Sequence, residues 1–219
     1  MTHLDLELKQ LKDDMLEMFQ LNLNQLEKAQ QALLKYDQNL AREILVHEKR
    51  INSFELKLDR DCENIIALFN PVAVDLRFVL ANLKINSNLE RIGDIAEGIA
   101  YFVLDIKSLL LEELIESSQL KTMFDTGIHM LSDAMTAYDK EDTELARTIF
   151  IRDEKMDIIN KEANQKVGAF INKHPERVNQ SLYLLSTIRK LERVGDQTKN
   201  IAEEIIFFIE AKVLKHKKK

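Results

Sequence analysis

Apolar residues recur at three- and four-residue spacing along almost the whole chain, the period that places them on one face of an α-helix. The interruptions are few. Asp37 follows Tyr36 as a cap for a second helix. Asn70-Pro71 ends that helix and opens a third, because proline fits a first helical turn and disfavours helix just before it. A softer break falls near Ser108 to Glu112. The run YDKEDT, Tyr138 to Thr143, is rich in cap-forming residues, and His174-Pro175 closes the set. These breaks predict six helices over residues 3–36, 38–69, 72–107, 112–138, 142–173 and 176–215, most of them about 30 residues or ~45 Å long at 1.5 Å per residue. The class is all-α.

The pattern occurs twice. Tyr36-Asp37 returns as Tyr138-Asp139, Leu40-Ala41-Arg42 as Leu145-Ala146-Arg147, and Asn70-Pro71 has its counterpart in His174-Pro175. LERIGDIAEGIA (89–100) and LERVGDQTKNIA (191–202) agree at seven of twelve positions. The offsets, 102 to 105, differ only across connections. A tandem pair of pseudo-symmetric three-helix bundles with long antiparallel helices follows, divided as 1–108 and 109–219.

Composition narrows the picture. Five glycines and two prolines in 219 residues leave little room for hairpins or nucleotide-binding loops. The single Cys62 cannot pair within the chain and reads as a packed thiol. The start, MTHLDLELK, has no apolar signal region, and no run reaches the ~18 apolar residues of a membrane span; both predict a cytoplasmic protein. The net charge of −6 hides a basic end: KVLKHKKK holds five lysines and no acid, so the rest of the chain is more acidic still. An acidic body argues against nucleic acid as a partner. The tail suits an anionic lipid or acidic partner, or simply a solvated helix end.

The acids are ordered. A heptad stripe in the third helix of each unit reads Leu76, Leu83, Glu90, Glu97 and Val178, Leu185, Glu192, Lys199, Ile206. Asp94 and Asp196 follow Glu90 and Glu192 at i+4, on the same face. Like charges so placed destabilise a helix by about 0.2–0.5 kcal/mol, and the mid-helix glycines Gly93 and Gly195 cost about 1 kcal/mol each relative to alanine. The second helices carry matching stripes, Glu48, Asn52, Glu55, Asp59 and Asp153, Asp157, Asn160, Asn164, at the edge of the apolar face. Counting outward from the turns sets the heights. Glu48 lies 23 residues before Pro71 and Asp94 23 after it; Asn52 and Glu90 lie 19 before and after. In the second unit Asp153 and Asp196 are 22 before and 21 after Pro175, and Asp157 and Glu192 are 18 before and 17 after. In a regular hairpin each unit gathers four oxygen-bearing side chains at one level.

Oxygen-only clusters suit hard or borderline ions such as magnesium, manganese, calcium or iron, and no cysteine or paired histidine stands nearby to favour structural zinc. The competing reading is a structural scaffold in which Lys49, Arg50, Arg91, Lys155 and Arg193 form interhelical salt bridges with these acids. A carboxylate-bridged di-iron oxidase is a third possibility, but ferritin-like sites use Glu-x-x-His pairs and the chain has none. His47 is either a spare ligand or a surface histidine. No P-loop, GxGxxG, HExxH or GxSxG is present, so no catalytic residue is expected.

The paired ERIGD and ERVGD segments, PVAVDLR (71–77), EKRIN (48–52) and DEKMD (153–157) together resemble the PhoU family, accessory regulators of bacterial high-affinity phosphate uptake. The similarity runs through both halves in order. It implies a flat six-helix protein, commonly a homodimer, that is regulatory rather than catalytic. It implies negative regulation when phosphate is plentiful, through contacts with the ATPase subunit of a phosphate ABC transporter and with a membrane sensor histidine kinase, the protein reaching the membrane only through these partners. Some members bind multinuclear clusters of divalent or trivalent metal through [DE]-x-x-x-D motifs, iron foremost, with manganese, magnesium or zinc as alternatives. Carried over, those motifs fall on Glu90/Asp94, Glu192/Asp196, Asp153/Asp157 and, with an amide in place of one acid, Glu48/Asn52. The chain departs from the family pattern at Ile95, Gly98, Gln197 and Asn200, and Lys199 stands where the first copy has Glu97.

Overall fold

The structure, a computed structural model, describes residues 2–214; residue 215 of the expected last helix and the end of the basic tail lie outside them. Seven α-helices are described: α1 (His3–Lys35), α2 (Gln38–Phe69), α3 (Val74–Asp105), α4 (Glu112–Ser117), α5 (Leu120–Lys140), α6 (Thr143–Lys173) and α7 (Val178–Glu210), with a short 3-10 turn at Pro175–Arg177 before α7. No strand occurs among the described residues.

The turns form where the chain provides caps. Tyr36 adopts the left-handed conformation (φ 54°) that terminates α1, and the Asp37 carboxylate accepts from the Asn39 and Leu40 amides at 3.0 Å each, satisfying two free donors at the start of α2. The Asp142 carboxylate does the same for Leu145 at the start of α6, at 2.9 Å. Asn70 is again left-handed, just ahead of Pro71. One expectation is corrected: the helix expected over 112–138 is two helices. The Ser117 and Ser118 hydroxyls donate back to the Leu114 and Ile115 carbonyls, competing with the helical ladder, and Gln119 turns left-handed at φ 59°.

Alternation of faces gives one contiguous apolar core drawn from all seven helices. The third helix of each repeat is the centre of its half: α3 packs on α1 and α2, and α7 on α5 and α6. These two motif-bearing helices also pack on each other, and α1 packs on α5. Where the halves meet, Tyr138 of α5 is fully buried against Phe19, Phe78 and Phe208, with ring centroids 5.6–6.2 Å away. Its hydroxyl donates to Asn82 Oδ1 of α3 at 2.6 Å, satisfying a group that would otherwise carry the full desolvation penalty. Lys84 of α3 crosses to the buried Glu204 of α7 at 3.0 Å. Cys62 is a buried thiol, as its sequence suggested, and burial pushes its pKa up to about 12. No described helix is long and apolar enough to cross a membrane.

Candidate functional site

The two motif helices place their acids against the second helix of the same unit, and in each unit one carboxylate goes inside. In the first it is Glu48, 2% exposed on α2, whose head lies over Gly93 of α3. A methyl group built on Gly93 would stand 3.1 Å from both Glu48 oxygens and 3.2 Å from Asn22 Oδ1 of α1. The glycine that weakens the helix therefore admits this carboxylate. Neither Glu48 oxygen has a hydrogen-bond partner, nor does Asn22 Oδ1, whose amide donates instead to the Met18 carbonyl. Burial raises the Glu48 pKa to about 7, with repulsion from Asp94 and Glu97 next; the nearby Gln25 amide, whose hydrogen bond goes to the Ile44 carbonyl at 3.1 Å, opposes the rise, and Glu90 adds the smallest repulsion. Burial also raises Glu90, reinforced by Asp94 and Glu55 and opposed by Arg91, and it raises Glu55 beside Asp59 and Asp94. Lower on the stripe the Asn86 amide donates to Asp59 Oδ1 at 2.8 Å and to the Glu55 carbonyl at 2.9 Å.

In the second unit the inward carboxylate is Asp153 of α6, 4% exposed, over Gly195 of α7. Here a methyl group would stand 2.9 Å from Asp153 Oδ1 and 3.2 Å from Met156 Sδ. The chemistry differs, because Lys199 Nζ donates to Asp153 Oδ2 at 2.5 Å and to Asp196 Oδ1 at 2.8 Å. Burial disfavours that ammonium, yet the bonds to the two acids outweigh it and hold the lysine pKa above its ordinary value. Asp153 is itself raised, by burial first, with Lys199 pulling it back. Glu192 is raised by burial and by Asp196, Asp157 and Asp153.

The predicted heights thus bring Glu48, Glu90 and Asp94 into one electrostatic neighbourhood and Asp153, Asp157, Glu192 and Asp196 into another. Asn52 is exposed, as are Asp94 and His47, while Asp157, Glu192 and Asp196 are half-buried. Among the described residues no three His, Cys, Asp or Glu side chains converge closely enough to hold a metal ion as they stand. The residues of the first cluster are nevertheless of the type that suits a hard cation: an orphaned buried carboxylate, an unpartnered amide oxygen and neighbouring acids. Asp94 and Glu97 also line a cleft of about 580 Å³ between α3 and α7, with Arg91, Lys190, Arg193 and Gln197. The second cluster already contains a cation of its own.

Of the expected counterions, Arg50 pairs with Glu17 of α1 at 2.6 Å rather than with the stripe, and Arg91 acts on Glu90. Sequence reading missed Asn22 and Gln25, although Asn22 is a polar residue in the apolar register Met15, Met18, Phe19, Asn22, Leu26. It also missed the role of Lys199, for which the i,i+3 spacing from Asp196 was the available signal.

A family model, the PhoU domain, matches the chain twice, over residues 15–103 and 120–205. The chain is similar to a phosphate-specific transport system accessory protein PhoU homologue of Thermotoga maritima, 32% identical over 216 residues, spanning 97% of this chain and 91% of the relative. It is 29% identical over 210 residues to PhoU of Escherichia coli K12, 96% of this chain and 86% of that one. Among solved structures, the phosphate transport system regulatory protein PhoU of Streptococcus pneumoniae superposes with a TM-score of 0.87 at 30% identity, covering 97% and 99% of the two chains. PhoU of Pseudomonas aeruginosa does so at 0.86 and 27%, covering 95% and 99%. These relatives are named as accessory and regulatory proteins, not as enzymes. With the domain matched in both halves, and the repeat, the paired acid motifs and the helical fold all agreeing with it, the chain belongs to the PhoU family, whose members are regulators rather than catalysts.

Proposed function

We propose that this chain is a cytoplasmic adaptor that restrains phosphate import and phosphate-starvation signalling by protein contact, and that it binds a metal ion at the first acid cluster. Its relatives' names supply the phosphate-transport context. The observation that carries the metal is Glu48, a buried carboxylate with neither oxygen partnered, resting on Gly93 beside Glu90, Asp94 and Glu97. Glu48 and Asn22 would supply fixed oxygens and the motif acids mobile ones. A bound cation would neutralise the cluster and tie α2 to α3. The expected contacts are the ATPase subunit of a phosphate ABC transporter and a membrane sensor histidine kinase, with the adaptor acting as a homodimer.

Two measurements test this reading. Untagged protein purified without added metal or chelator is expected to contain iron, manganese or another such metal by plasma mass spectrometry, and to lose it in a Glu48→Gln, Asp94→Asn variant. Pull-downs from cells grown at high phosphate are expected to recover the ATPase subunit or the kinase; recovery of neither removes the adaptor role. The scaffold reading keeps specific support in the second unit, where Lys199 already bridges Asp153 and Asp196.

A further inference from the structure

The internal repeat aligns Lys199 with Glu97 at an offset of 102, just past the shared Gly-Asp of the motif and within the stretch 95–98 against 197–200 where the two copies differ. Three features are shared between the units: a glycine at mid-helix, an inward carboxylate from the neighbouring helix lying on it, and an acid one residue after the glycine. Only the second unit has an ammonium between the inward acid and the motif acid, 2.5 Å from Asp153 Oδ2 and 2.8 Å from Asp196 Oδ1. That is where an exchangeable ion bridging α6 and α7 would have to sit. An ammonium is a compact point charge with three donors, and charge-assisted bonds to two carboxylates are among the stronger side-chain contacts. A divalent ion entering there would have to expel Lys199 and break both bonds. The remaining surroundings are no more hospitable, since Met156 Sδ and the Met130 methyl lie against Gly195 where the first unit offers the Asn22 amide oxygen.

From this geometry we infer that Lys199 is a tethered cation that replaces a metal ion in the second unit, leaving the chain with an exchangeable cation site in the first unit only. The replacement stands on the Lys199 contacts; that the first unit is exchangeable rests on the reading of Glu48 given above. The first cluster is more than a group of acids, because Glu48 is buried, unpartnered and aimed into it. The chain is then a one-sided device. Its second bundle is fixed whatever the metal supply, and its first bundle responds to it.

The test is manganese binding to the chelator-stripped full-length chain, measured by titration calorimetry and by metal content after desalting. Binding to the wild type is expected to be abolished by Glu48→Gln and unchanged by Asp153→Asn. Lys199→Glu, which restores the residue type of the first copy, is expected to add bound manganese that Asp153→Asn then removes. Should Lys199→Glu not fold, as judged by circular dichroism, Lys199→Gln takes its place with the same expectation. In chelator the lysine variant should melt below the wild type, and manganese should recover part of the loss. A wild type that binds nothing, beside a lysine variant that does, would retain the tethered cation and sink the first-unit reading. Wild-type binding lost in Asp153→Asn, or folded lysine variants that gain no manganese, would overturn the inference.

Discussion

The two halves of this molecule solve the same electrostatic problem in different ways. Each buries a carboxylate of its second helix on a mid-helix glycine of its third. Asp153 is compensated by Lys199, which reaches it from the adjacent helix and holds Asp196 with the same ammonium. Glu48 has no such partner; its pKa is raised to about 7 and both of its oxygens are orphaned. A buried charge without a counter-charge usually gives up its ionisation. Retaining one inside an acid cluster is expected where a mobile cation completes the site. The comparison teaches that a duplicated motif need not be a duplicated environment: Lys199 stands at the register position of Glu97 and gives the second buried carboxylate a counter-charge that the first lacks.

The largest effect expected is at the permanent joint. Lys199→Ala leaves Asp153 buried and unpaired, and a loss of about 3 kcal/mol in urea unfolding is expected, toward the low end for breaking a buried pair because the lysine is partly exposed. Glu97→Ala, the matching change in the first unit, removes a like charge and should not destabilise metal-free protein. An equal loss at both positions would erase the distinction between the halves.

Next comes pH. The folded-state pKa of Glu48 lies above the 4.5 of an ordinary glutamate, so the folded protein holds that proton more tightly than the unfolded chain. Its contribution to stability is greatest below about pH 4.5 and is lost as pH rises through about 7. In chelator at pH 8, Glu48→Gln is therefore expected to be more stable than the wild type by on the order of 2 kcal/mol, with the gap closing toward pH 5. Calorimetric melting across that window decides it. A gap that does not change with pH would show that Glu48 is paired after all.

Smaller effects belong to the glycine floors. A methyl at Gly195 meets Asp153 Oδ1 at 2.9 Å, and that oxygen belongs to a side chain pinned by Lys199. Gly195→Ala is expected to cost about 1–2 kcal/mol even after the helix-propensity gain. At Gly93 the contacts are 3.1 Å and the Glu48 head is not pinned, so Gly93→Ala should change stability by less than about 1 kcal/mol while displacing Glu48 and weakening manganese binding. Thermal melts with and without manganese separate the two. The smallest change is expected for Glu17→Ala, which removes an exposed pair with Arg50 outside both clusters and should shift stability by about 0.5 kcal/mol or less.

Much of the architecture is written in short-range features. The caps at Asp37 and Asp142, the left-handed Tyr36 and Asn70 and the Pro71 and Pro175 turns are local events, settled by residues within one or two turns of helix. The break at Gln119 escaped because glutamine carries no preference for the left-handed region it occupies there; the serine back-bonds and packing hold it in place. The acid stripes and their shared heights were legible for a related reason. Equal counting from a tight turn fixes which residues of an antiparallel pair face each other.

The sequence by itself therefore determined the helical class, the duplication, the glycines set in acid motifs and which residues could meet. Periodicity and turn chemistry are properties of single helices and of the hairpins that join them. The tertiary structure decided which carboxylate of each stripe goes inside, that Asn22 of a third helix borders the first site, and that Lys199 turns toward Asp153 instead of solvent. Those outcomes depend on the close approach of three helices, and burial sets their energies: an amide oxygen or an ammonium a few ångströms from a desolvated carboxylate matters there, while the same residue on an open helix face would be screened by water.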